Sequence, residues 1–198
     1  MKNVNNQNQW IKISGLSGIL APTLAFFLIF ISILNYQNFS WIENTLSDLG
    51  ISTGVSSLLF NYGLIVSGAL FVVYSFGIFN FFHNKLMAKI GACVLLLTAL
   101  MMSAIGVFPE NIAPTHAYVS TLFFLLFPIS TSLLAINFYF MKKIKLAFIS
   151  ILAIIVAVVA FVLINQSGQG IAILEVVHVL AMFVLPIILG YKMFKGNL

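Results

Sequence analysis

Six apolar runs, each about as long as a bilayer core is thick, constrain this chain more than any other feature of its sequence. A helix needs about 20 apolar residues to cross. The runs cover roughly Ile13 to Leu34, Val55 to Phe79, Ala88 to Phe108, Ala117 to Phe140, Leu146 to Ile164 and Ile171 to Tyr191. Backbone facing lipid must satisfy its own hydrogen bonds, so these runs are read as helices. A β-barrel would alternate polar and apolar residues in segments of about ten, and that pattern is absent. The expected fold is all-α: a polytopic membrane protein with a six-helix bundle over residues 13–191. A cytoplasmic tail is expected at 1–12 and another at 192–198.

Composition agrees. Of 198 residues, 62% are hydrophobic and 7% charged, where soluble domains run near a quarter charged. All nine basic residues are Lys, so the Arg forks that suit nucleic-acid phosphates are missing and no nucleic-acid partner is expected. Their placement sets orientation. Lys2 and Lys12 precede the first run, and Lys85 and Lys89 flank the second connection. Lys142, Lys143 and Lys145 form the fourth connection, and Lys192 and Lys195 follow the last run. Six crossings put all nine on one face, which the positive-inside rule makes cytoplasmic. The expected location is the cell membrane, multi-pass, with both termini in the cytoplasm. Glu43, Asp48 and Glu110 fall on the opposite side, and Glu175 lies one turn into the last run from it. The sequons at Asn38 and Asn165 land there too, which supports the orientation mildly. Cys93, the one cysteine, permits no intrachain disulfide and reads as a buried packing residue.

Helices associate in lipid through close contact at small residues. Ser14 with Gly18, Gly63 with Ser67, and Gly91, Ser103 and Gly106 offer such faces. Pro22, Pro128 and Pro186 each free a carbonyl inside a run, and Ser130, Thr131 and Ser132 stand ready near Pro128. In the first outer connection, Ser40 with Glu43 fits a capping box, and Gly50 sits at a C-cap position. Ile42, Leu46 and Leu49 recur at helical spacing. A short amphipathic outer helix is therefore expected between spans one and two.

Four stretches carry a resemblance. They are Asn44-Thr45-Leu46-Ser47-Asp48-Leu49-Gly50, Phe60-Asn61-Tyr62-Gly63, Gly106-Val107-Phe108-Pro109 with His116, and Glu175-Val176-Val177-His178. On these the chain resembles the prokaryotic, mainly archaeal, membrane family catalogued as domain of unknown function 998. The resemblance implies six helices and no established activity.

The polar residues that bear on function gather towards the outer leaflet: Ser47, Asp48, Glu110, His116, Glu175 and His178. Glu175 and His178 share one helix face and lie inside a span, where ionisable side chains usually serve a purpose. A hydrogen-bonded cluster that fixes helix register is one reading. A zinc or iron site built from Asp48, His116, Glu175 and His178 is another. Haem held by His116 and His178 is a third. The preferred function is non-enzymatic: binding a membrane lipid, or the helices of other membrane subunits, at an outer-leaflet polar pocket, as an accessory subunit of a membrane complex. The alternative is an intramembrane metal-dependent hydrolase acting on a lipid, with Glu175 or Asp48 as proton acceptor. The first is preferred because the ligand set is incomplete and no G-x-S-x-G nucleophile motif is present.

Overall fold

The computed structural model describes residues 2–167 and 171–197. Long apolar runs become long helices: α1 (Lys2–Leu34), α3 (Val55–Phe81), α4 (Leu86–Val107), α5 (Thr115–Phe140), α6 (Ile144–Ser167) and α7 (Ala172–Lys195), with the short α2 (Asp48–Ile51) between the first two. Six are long and apolar enough to cross a membrane, and no strand occurs among the described residues. This is a six-helix, multi-pass membrane bundle. Helix α1 continues through the polar stretch expected as a tail, starting at Lys2.

The six long helices form a closed ring in which each packs on its neighbour in the order α1, α3, α4, α5, α6, α7 and back to α1. Small residues set the spacing. A Cβ on Gly190 would stand 2.5 Å from the Gly15 carbonyl oxygen, so α1 and α7 touch backbone to backbone. Gly106 lies against the Asn61 backbone, and Gly91 against Ser130. These contacts realise the small-residue faces expected from sequence. Gly15, Gly68 and Gly190 were not among those faces and make contacts as close.

Aromatic rings fill the centre. Phe71 contacts Tyr74, Phe127 and Phe183, and Phe26 meets Phe183 edge to face. All but Phe26 are almost wholly buried. The outward surface carries Ile, Leu, Val and Phe side chains, as a lipid-facing surface must. Cys93 lies on that surface and is exposed, so the expected buried packing role does not hold. A cysteine is apolar enough to sit on either side of a membrane helix, and the sequence offered no test between the two.

The proline region also differs from expectation. Ser132 bonds the Pro128 carbonyl, Ser130 reaches across to the Gly91 carbonyl and Thr131 points to the Met182 sulfur. The Pro128 ring frees the carbonyl four residues earlier, and these hydroxyls are used elsewhere.

Candidate functional site

The connection from α1 to α3 builds the acid-bearing end of the bundle. Its expected helix is reduced to one turn, Asp48–Ile51. Ser40 does cap a turn, accepting from the Glu43 N–H at 3.2 Å, but the chain then leaves the helical path. Side-chain acceptors take the donors that a helical ladder would have used. Asp48 Oδ2 accepts from the Thr45 N–H and from Asn44 Nδ2, both at 2.9 Å. Glu175 Oε2 accepts from the Leu46 N–H at 2.5 Å. Gly50 is not a C-cap; it lies inside α2, pressed against Phe60 and Asn61, where a Cβ would not fit.

This strap, residues 40–51, is tied to three helices. The carbonyls of Asn44 and Trp41 accept from the Ala172 and Ile173 N–H groups at 2.8 and 3.3 Å, capping the start of α7. Asn61 of α3 donates to the Gly50 carbonyl at 2.9 Å. Ser47 Oγ lies 3.0 Å from His116 Nε2 on α5. The other ring nitrogen, Nδ1, lies 2.7 Å from the Phe108 carbonyl. A carbonyl only accepts, so Nδ1 carries the proton; when the ring is neutral, Nε2 accepts from the Ser47 hydroxyl.

Glu110 completes the group. It lies near Asp48 and Thr45, and one of its oxygens is buried without a partner. Burial pushes its carboxyl above the ordinary range; the charge of Asp48 adds to this, and the nearby His116 opposes it. Asp48 and Glu110 also act on Glu175. Ser47, Asp48, Glu110, His116 and Glu175 thus form one neighbourhood, drawn from the strap, the α4–α5 connection, α5 and α7.

His178 stands apart from it. The ring is fully buried, with Nδ1 2.8 Å from the Ala157 carbonyl of α6 and Phe124 packed edge-on at 4.8 Å between centroids. Its Nε2 has no hydrogen-bond partner. Glu175 and His178 do face the interior, as their shared helix face implies. His178 nevertheless meets a backbone carbonyl and not Asp48, Glu110 or His116. Among the described residues no group of three or more His, Cys, Asp or Glu side chains is arranged to hold a metal ion. The expected zinc or iron set of Asp48, His116, Glu175 and His178 is not assembled. His116 and His178 are likewise engaged with separate carbonyls, so they present no joint site for haem.

Beneath the strap lies an apolar cavity of about 50 Å³. Side chains from α1, α3, α4, α5 and α7 line it, among them Ala25, Phe60, Met102 and Phe123, with Phe183 of the central aromatic cluster also in its wall. Glu175, Ser47 and Ser120 are its polar residues. One water-sized sphere needs roughly 10–15 Å³ by this measure, so the space holds about four small groups. It is far too small for a haem. The sequence placed the polar residues at this end but gave no sign of the cavity, because its lining is indistinguishable from ordinary core.

Residues 19–192 match the family described as protein of unknown function (DUF998), and the chain belongs to that family. No curated protein and no solved structure matches it.

Proposed function

We propose that this member of a family without an assigned activity binds one chain of a membrane lipid in the cavity beneath its strap. The lipid head would rest among Ser47, Asp48, Glu110, His116 and Glu175. The observation that supports this is an apolar slot whose polar lining is a carboxyl group and two hydroxyls at the acid-bearing end. An amphiphile matches both halves: methylenes for the slot, hydrogen-bond donors for the carboxyls. The rim carries acids and no lysine, so the head should be neutral or cationic; an anionic head would meet like charge. The lysine pattern favours placing the lysine-bearing end in the cytoplasm and the pocket in the outer leaflet of the cell membrane. Service as an accessory subunit of a larger membrane complex is compatible with the broad apolar exterior.

Native mass spectrometry of the protein released from gentle detergent tests the pocket. Wild type should retain one lipid through delipidation. Ala25→Leu, whose added carbons would occupy most of the slot, should retain none while unfolding at a similar temperature. Equal retention by the two proteins would contradict the reading.

A further inference from the structure

Binding alone does not use the chemistry of the Ser47–His116 pair. We propose that Ser47 is a nucleophile and His116 its base, so that the pocket hydrolyses an ester whose acyl chain is narrow enough to enter the slot. This rests on the pocket reading above and extends it from binding to reaction.

The geometry carries four parts of such a site. Ser47 Oγ and His116 Nε2 stand 3.0 Å apart, within the reach that lets a base activate a hydroxyl. The Phe108 carbonyl, 2.7 Å from Nδ1, fixes the ring in the tautomer whose Nε2 can take a proton. Ser47 also lines the cavity that would seat the chain. The backbone N–H of Ser47 donates to no protein group among the described residues, which leaves it available to a developing oxyanion.

The steps balance with water as the only co-reactant. Ser47 Oγ adds to the ester carbonyl carbon as its proton passes to His116 Nε2. The bond from that carbon to the alkoxy oxygen breaks, and Nε2 returns the proton to the departing alcohol. Water then adds to the acyl-Ser47 carbonyl, giving a proton to Nε2. The carboxylic acid leaves as that proton returns to Ser47 Oγ.

A bond between Ser47 and His116 would also exist if the pair merely tied the strap to α5, so the test must read reactivity. The full chain in detergent micelles is treated with an alkyl fluorophosphonate, which phosphonylates activated serine hydroxyls with loss of fluoride, and the adduct is located by peptide mass mapping. One adduct on Ser47 is expected. In His116→Gln, whose side chain can still hydrogen-bond to Ser47, labelling should fall at least about 100-fold. Absence of an adduct on folded wild type, an adduct elsewhere, or unchanged labelling of His116→Gln would each overturn the proposal. Wild type that retains a lipid but leaves Ser47 unmodified would sink the nucleophile and spare the pocket. Labelling of Ser47 in a protein that retains no lipid would support the nucleophile and count against the pocket reading.

Discussion

Replacing Glu175 by Leu should loosen the strap without unfolding the bundle. Glu175 Oε2 accepts from the Leu46 N–H at 2.5 Å, and Leu46 is buried, so an apolar replacement leaves that donor without a partner. Leaving a buried donor without a partner costs about 1–3 kcal/mol. With tenfold per 1.4 kcal/mol, the open fraction of the strap should rise about 5- to 150-fold. The remaining ties, Ala172 N–H to Asn44 O, Ile173 N–H to Trp41 O, Asn61 to the Gly50 carbonyl and the Ser47–His116 bond, keep the segment docked most of the time. Amide hydrogen exchange at Ala172 and Ile173, whose N–H groups are held by the strap carbonyls of Asn44 and Trp41, reads this opening. Glu175→Gln retains an acceptor oxygen and should accelerate exchange much less. Unchanged exchange in the Leu variant, or equal acceleration in both, would refute the assignment of Glu175 as the anchor.

Three further outcomes follow from the packing and the charges. The Glu110 carboxyl is raised by burial, so its protonated form is favoured in the fold; the stability it contributes is full at acid pH and is lost as pH rises through its folded-state value. Glu110→Gln, which mimics the protonated form, should therefore raise the thermal midpoint at pH 7, with the gain over wild type shrinking towards pH 4; a lowered midpoint at pH 7 would contradict this. Gly190→Ala places a Cβ 2.5 Å from the Gly15 carbonyl oxygen, where ordinary contact begins near 3.4 Å, and the overpacking should cost about 1–3 kcal/mol in a detergent unfolding series. His178→Ala removes a fully buried ring and its bond to Ala157 and should cost about 2–5 kcal/mol, whereas Val158→Ala on the exposed face of α6 should stay within about 0.5 kcal/mol of wild type.

The bundle was legible in the sequence because membrane crossing leaves few solutions: apolar length gives the helices. The inward aim of Glu175 and His178 was legible for a related reason, since hydrocarbon penalises an ionisable side chain that faces it. The strap was not legible. Its residues carry helical spacing and a cap, yet its amides are claimed by Asp48 nearby and by Glu175, 129 positions away. Local periodicity cannot register a competitor that distant. The pairing of Ser47 with His116 spans 69 positions and was equally hidden, although both residues were singled out separately. His178 was assigned carboxylate or imidazole partners, and the structure gives it a backbone carbonyl on α6. A helix with no polar side chain opposite still offers carbonyls, and a sequence does not reveal which of them a histidine will reach.

An experimental structure of the full chain in lipid nanodiscs would test the pocket most directly. Lipid binding requires density for one chain between Ala25, Phe60 and Phe123, ending in a head within hydrogen-bonding distance of Ser47 or Glu175. A cavity found collapsed, with the strap residues packed directly onto Phe123 and Phe183 and every ordered lipid confined to the outer surface, would contradict it.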